Sequence, residues 1–297
     1  MDVPPDLPQC WLTAARPEGT RCCVVAARGS TTAYRRDGSQ LARFQSQLPA
    51  GSAATAEGSE SLTILDCVLH AGEPVLSVAD AMVWRGYSLY DCGAEFRLYW
   101  LHTKLCELGA PRGGPRAWAY DFRALAYAAA DAAGLHAAAR GEVPFRRDGL
   151  LLVHRECVYS PGECTPLALQ WKDGECSGHL LDTDAHGKPP PLQLLVLRLS
   201  PDGWLMTGDA HPLARLVDCL VGTHCAPHPA GALLRLAVPP GALAMQHGRP
   251  GACAPLTLLG EARRGHPADA ASKIAFQYAA RAGEAPTLQQ LMDQAAA

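Results

Sequence analysis

The stretch from Asp148 to Lys172 constrains the fold more tightly than any other part of the chain. It opens on Leu150-Leu151-Leu152-Val153, a continuous apolar run of the kind found in a strand covered on both faces. It then passes through Ser160-Pro161-Gly162-Glu163, where proline presets φ and glycine supplies φ > 0 for a turn. It ends in alternation: Leu167, Leu169 and Trp171 share one strand face, and Ala168, Gln170 and Lys172 share the other. A strand ending in an aromatic plane beside an ammonium suits a nucleotide, because the ring stacks a base and the lysine meets phosphate. The same tryptophan also suits a core position.

The rest of the chain repeats this short-strand texture. Trp11 to Ala15, Arg21 to Ala27 and Thr31 to Arg36 read as strands, and Asp37-Gly38 closes a hairpin into Ser39–Phe44. Leu62–Leu69, Pro74–Trp84, Leu192–Leu199 and Leu233–Val238 are further strands. Residues 49–61 and 109–117 are loops, and Arg85-Gly86 turns the chain toward a helix. Helical spacing predicts helices over Glu95–Leu108, Phe122–Arg140, Ala268–Ala282 and Thr287–Gln294, the last capped by Thr287 and Gln290. Hairpins dominate and no βαβ alternation runs through the chain. The expected class is therefore α+β, with two mostly antiparallel sheets and flanking helices. Residues 1–297 read as one domain: a core over 8–175, an insertion over 176–232, and a C-terminal strand and helices over 233–297.

Composition narrows the function. Hydrophobic residues make up 48% and charged residues 19%, which supports an ordinary core. A formal net charge of −3 argues against a protein that coats duplex or long single-stranded nucleic acid, though it permits a local basic pocket. No basic and apolar leader is visible at Met1-Asp2-Val3-Pro4-Pro5, and no apolar run approaches a bilayer span, so no membrane partner is expected. The 12 cysteines read as reduced thiols, several on apolar faces (Cys22, Cys23, Cys67). Cys219, His224, Cys225 and His228 are spaced unlike the usual zinc motifs, and no metal or other cofactor is expected.

The polar positions at strand ends carry the functional signal. In order they are Arg16-Pro17-Glu18-Gly19-Thr20-Arg21, Leu65-Asp66-Cys67-Val68, Val78-Ala79-Asp80, Asp148-Gly149-Leu150 and Leu169-Gln170-Trp171-Lys172. This series resembles the covalent nucleotidyltransferases, the mRNA capping enzymes and DNA or RNA ligases. Their nucleophile motif is Lys-x-Asp-Gly-x-Arg, and their later motifs include Leu-Asp-Gly-Glu and a closing Lys-Trp-Lys or similar. Arg16 stands where the nucleophilic lysine belongs, and a guanidinium offers no neutral amine to attack a phosphate. Val68 stands where the glutamate belongs. Gly19, Arg21, Asp148, Gly149, Trp171 and Lys172 keep the nucleotide shell. Such a pocket should bind a nucleotide and release it unchanged.

A second series is collinear through the chain: Ala27-Arg28-Gly29-Ser30-Thr31-Thr32-Ala33-Tyr34, Thr63-Ile64-Leu65-Asp66-Cys67, Met82-Val83-Trp84-Arg85-Gly86 and Phe96-Arg97-Leu98-Tyr99-Trp100. Tyr159-Ser160-Pro161-Gly162 onward to Trp171, and Leu236 to Leu243, continue it. These stretches are similar to the snurportin family, which recognises the 2,2,7-trimethylguanosine cap of spliceosomal small nuclear RNAs. The resemblance implies a nucleotidyltransferase-like fold and a cap site built from Trp171, Arg36, Arg16 and Lys172. Trp171 would stack the methylated base, whose positive charge an indole face attracts. Arg36 would meet the cap phosphates, with Arg35 beside it on the opposite face, and Arg16 would fill the place of the nucleophile. The family's second cap-site tryptophan lies just upstream of its Asp-Val-Pro segment. This sequence starts at Met1-Asp2-Val3-Pro4, so Trp11 is the nearest candidate, although it matches a different family position. The implied partners are trimethylguanosine-capped small nuclear RNA and its ribonucleoprotein, with importin-β and an export receptor. No Arg-rich importin-binding segment is seen in this sequence. The implied location is shuttling between nucleus and cytoplasm. Two alternatives stand beside this expectation: an active guanylyltransferase or ligase, and an interaction module that has lost cap binding.

Overall fold

The computed structural model describes residues 3–55, 61–109, 118–161, 165–184, 187–221, 228–246, 249–262 and 267–296. The Gly162-Glu163 part of the expected turn lies outside these residues, as do His224 and Cys225. The sequence reads as one domain over 1–297, whereas the structure divides into two compact units, one of Pro4–Gly178 with Leu288–Ala297 and one containing His179–Thr287.

The first unit holds two sheets. A short turn of helix, α1 (Leu7–Cys10), leads into β1 (Trp11–Pro17). Then come β2 (Gly19–Ala27), β3 (Ser30–Tyr34), β4 (Gln40–Phe44), β5 (Leu62–His70), β6 (Val75–Trp84) and β7 (Tyr87–Ser88). The chain continues through α2 (Ala94–Glu107), β8 (Asp121–Ala124), β9 (Ala128–Ala129), α3 (Ala132–Arg140), β10 (Arg147–His154) and β11 (Ala168–Trp171). The larger sheet runs β4-β3-β2-β5-β6-β7, antiparallel throughout, with β8 added parallel to β6. The smaller runs β11-β10-β1-β9, also antiparallel. The expected α+β class with antiparallel sheets and flanking helices holds.

Alternation explains the core. One face of the larger sheet, with Cys22, Val24, Leu65, Cys67 and Val78, packs with Leu101 and Leu105 of α2 and with Phe122. Each such leucine contributes about 1.5–3 kcal/mol by leaving water. The opposite side chains, Arg21, Cys23, Asp66 and Asp80, are polar or less buried. Aspartates 66 and 80 face each other in register across β5 and β6.

Two local readings need correction. The helix expected over Phe122–Arg140 begins only at Ala132, where Asp131 accepts the Gly134 amide at 2.8 Å as its N-cap. Residues 121–124 instead pair with Val75–Val78, because burying Phe122 outweighs the helix propensity of the alanines. Arg85-Gly86 closes a hairpin, with φ values of 55° and 85°, so the chain makes β7 before α2.

The second unit is built on a sheet of β12 (Gln193–Leu199), β13 (Trp204–Met206), β14 (Pro212–Arg215), β15 (Leu220–Val221), β16 (Leu233–Val238) and β19 (Thr257–Glu261), in the order β14-β13-β12-β16-β19-β15. A separate ribbon pairs β17 (Leu243–Gln246) with β18 (Arg249–Ala252). Helix α4 (Ala271–Ala282) sends Ile274 into a core of Leu195, Leu197, Leu205, Leu234 and Leu236. Residues 176–232 and 233–297, separated on the sequence, thus share one sheet. The last helix, α5 (Leu288–Ala296), belongs to the first unit, where it packs against α1 and α3.

Candidate functional site

Residues far apart in sequence converge where β1 and β10 end. Arg16 is next to last on β1, and Asp148 is second on the antiparallel neighbour β10, so the two meet. The Arg16 guanidinium donates to Asp148 Oδ2 at 2.6 Å. Lys172, just past β11, donates from Nζ to both oxygens of the same carboxylate at 3.0 and 3.1 Å. The three side chains are 13%, 12% and 25% exposed, so two cations share one poorly hydrated anion. Burial pulls the Arg16 guanidinium below its ordinary pKa; Asp148 opposes the fall and the nearby Arg21 adds to it. The group nonetheless stays charged.

Glycine makes this junction possible. Gly149 has φ of 96°, and a Cβ there would lie 2.2 Å from the Trp171 carbonyl oxygen. Its amide donates to the Cys176 carbonyl at 2.6 Å, so β10 and the chain after β11 close against each other. Only a residue without a side chain allows that approach. Trp171 is half-buried at the end of the edge strand, opposite Leu150, and its indole N–H reaches Asp173 Oδ2 at 3.4 Å. Lys172 is thus held on the Arg16–Asp148 pair, while Trp171 closes the edge strand one residue before it.

A second cluster rises from the larger sheet. Arg21 makes a two-pronged bond to Asp66, at 3.0 and 2.5 Å, and Tyr159 donates its hydroxyl to the same carboxylate at 3.1 Å. The Arg21 side chain is 70% exposed, so it is oriented by Asp66 yet open to an incoming anion. Its bonds to Asp66 raise its pKa, and burial followed by Asp66 raises that of Tyr159. Beneath lies Arg97, 1% exposed, which holds Asp80 at 2.9 and 2.7 Å and donates to the carbonyls of Cys92 and Cys157. Burial raises the Asp80 carboxyl, with Arg97 opposing. The Tyr127 hydroxyl completes this layer on the Ala79 carbonyl at 3.3 Å.

The β3–β4 turn carries the remaining cations. The last β2–β3 pair is Cys23 with Tyr34, so the turn extends alongside the Arg21 end of β2. Arg35 and Arg36 lie in the turn itself, both exposed, so the opposite faces expected of neighbouring strand residues do not apply. The Arg35 amide and carbonyl bond to Ser39 and Gly38, and its guanidinium reaches the Gln40 carbonyl at 3.4 Å. The Arg36 side chain makes no hydrogen bond or ion pair with a described residue.

Trp11 does not join the site. It is 3% exposed, its indole donates to Asp6 at 3.0 Å, and His154 meets its ring edge-on. It sits at the other end of β1 from Arg16, about 16 Å away at strand rise. Asp6, Cys10 and His154 bring three possible metal-ligand atoms within 4.8 Å of one another. Asp6 already takes the Trp11 indole proton and His154 Nδ1 accepts the Glu156 amide at 3.2 Å, so the group reads as a latch around Trp11. Arg21 and Asp66, named in the motif series but not among the expected cap contacts, pair here, and Tyr159 is the partner to which the motifs gave no role. Arg21 closes the Arg16–Arg21 motif, which is the signal that could have placed it there.

Arg16 and Lys172 gathered on Asp148, with Trp171 closing the neighbouring edge strand, form a basic strand-end site, and the class of protein is one that binds a capped RNA end. Residues 1–172 match the family described as Snurportin1, m3G cap-binding domain, and the chain belongs to that family. The chain is also similar to the ligase domain from M. tuberculosis LigD, at 14% identity over 87% of this chain and 90% of that one, with a TM-score of 0.37. A mycobacterial DNA ligase D complexed with ATP and MES is similar at 13% identity over 86% and 91%, with a TM-score of 0.37.

Proposed function

We propose that this chain reads the 2,2,7-trimethylguanosine cap of small nuclear RNAs without covalent chemistry, as a snurportin-like adaptor for nuclear import that shuttles between nucleus and cytoplasm. Importin-β and an export receptor are the proposed transport partners. The observation that carries the reading is the Arg16–Asp148–Lys172 triad. The position of the nucleophile holds a guanidinium, and the neighbouring lysine is engaged by both oxygens of Asp148. Neither side chain offers a free amine, and both are cations of the kind that meets phosphate. Arg21, oriented by Asp66, and exposed Arg36 are the further cations proposed to meet phosphate. Trp171 supplies the face for the methylated base, whose charge adds a cation–π attraction.

The test is indole fluorescence. Trimethylguanosine cap dinucleotide should quench Trp171 strongly and unmethylated GpppG weakly. Trp171→Leu should lower cap affinity about ten- to hundredfold even though it keeps apolar area. Equal quenching by both dinucleotides, or wild-type affinity in Trp171→Leu, would refute the cap assignment. The non-covalent character is tested separately with labelled GTP and a divalent metal. No label should survive on the denatured protein, and a labelled band would make the chain an enzyme.

A further inference from the structure

A groove lined by none of the proposed cap contacts runs between the first turns of α2 and the chain after β10. It has a volume of about 560 Å³, and its lining includes Asp91, Glu95, Phe96, Tyr99, Glu156 and Val158. The helix buries Ala94, Arg97, Leu98, Leu101 and Leu105, which satisfies its periodicity. Phe96 and Tyr99 lie off that stripe and remain 49% and 72% exposed, and Val158 across from them is 47% exposed. Three large apolar side chains on one polar-rimmed surface mark a contact face better than a solvated one.

The groove is stiff. Phe96 stacks on Trp100 at 5.8 Å and 27°, and the Lys104 ammonium covers the Trp100 ring at 4.8 Å. The Glu95 amide donates to the Arg155 carbonyl at 3.0 Å, and buried Arg97 holds the Cys157 carbonyl at 2.7 Å. Both walls are therefore tied to one framework, and a ligand loses little by ordering them.

Charge selects the occupant. Three carboxylates line the groove, from Asp91, Glu95 and Glu156, against one guanidinium, Arg155. Arg155 is committed to Glu95 and to the Gln9 carbonyl. Asp91 and Glu156 have no ion-pair partner among the described residues. Phosphate-rich ligands are repelled by such a rim. An arginine is suited to both features, since its guanidinium stacks on an aromatic face and pairs with a carboxylate in one pose. We propose that this groove docks an extended, arginine-bearing segment of a partner protein, at a surface that shares no lining residue with the proposed cap contacts.

The probe is a fluorescein-labelled peptide, acetyl-Gly-Arg-Leu-Arg-Gly-Arg-amide, titrated into the full chain and followed by anisotropy and by amide chemical shifts. The expected result is saturable binding that shifts the amides of Phe96, Tyr99 and Val158 and weakens as salt rises. Tyr99→Ala and Glu156→Lys should each weaken it about tenfold. Both side chains are exposed, so unchanged thermal midpoints in these variants confirm that the fold is intact. A glutamate-for-arginine peptide and oligouridylate should leave these amides unmoved. Several results would overturn the proposal. One is no binding of the arginine peptide. Another is equal binding by wild type and both variants. Shifts of the same amides by oligouridylate would make the groove an RNA face. Shifts produced by raising protein concentration alone would make it a self-association face.

Discussion

Replacing Asp148 by Asn keeps the shape of the side chain and removes the anion that Arg16 and Lys172 share. Each cation lies within hydrogen-bond distance of the carboxylate, at 2.6 Å and at 3.0 and 3.1 Å. At an effective dielectric constant of about 20, each pair attracts by about 4 kcal/mol at 4 Å between charge centres, before desolvation and the mutual repulsion of the cations are subtracted. Removing one partner from a buried pair typically costs about 3–5 kcal/mol. These side chains are 12–25% exposed, which places this site at the lower end. A loss of about 2–3 kcal/mol is expected, and at about 2–4 °C per kcal/mol for a unit of this size the midpoint falls by about 5–10 °C. The cations that Asp148 held should then bind an added polyanion more strongly. Tripolyphosphate should therefore raise the midpoint of Asp148→Asn more than that of wild type, narrowing the gap. Thermal denaturation followed by circular dichroism, with and without tripolyphosphate, measures both effects. A midpoint within about 1 °C of wild type would show that the triad contributes little to folding, and a tripolyphosphate response equal to wild type would show that it is not an anion seat.

The backbone at Gly149 and the buried thiols supply two further tests. Gly149→Ala places a Cβ 2.2 Å from the Trp171 carbonyl oxygen at a φ of 96°, so it should both destabilise the first unit by more than about 1 kcal/mol and weaken cap binding. Loss of neither would refute the close-approach account. Burial, with Asp66 adding, pushes the Cys22 thiol up to about 11, and burial with Asp173 pushes Cys176 up to about 12. At pH 8 their thiolate fractions are about one in a thousand and one in ten thousand, so iodoacetamide should label exposed Cys106 and Cys253 before either of them. Labelling of Cys176 in the native protein as fast as Cys106, read by peptide mass spectrometry, would contradict the burial.

What the sequence determined by itself is what neighbouring residues decide together. Asp37-Gly38 specifies its hairpin, with Gly38 at φ of 80° and the Ser39 amide on the Asp37 carboxylate at 2.8 Å. Residues 21–27 and 62–69 are legible as strands from their apolar, β-forming composition, and they pair with each other as β2 and β5. The motif positions Arg16, Asp148, Trp171 and Lys172 are legible for the same reason, since each sits at a strand end beside turn chemistry. Tertiary structure alone decided the pairings. Arg16 and Asp148 are 132 residues apart, and no local rule says that Asp148 will also hold Lys172. Arg97 looks like any charged helix residue until Asp80, 17 residues away, meets it in the interior. Trp11 and Trp171 begin and end strands alike, yet one is buried on Asp6 and the other stands at a sheet edge, because strand order sets exposure. The alanines after Phe122 favour a helix by propensity, and the open edge of β6 overrules them. Propensity acts on neighbours within a turn, whereas burial and ion pairing act on whichever groups the folded chain brings within a few ångströms.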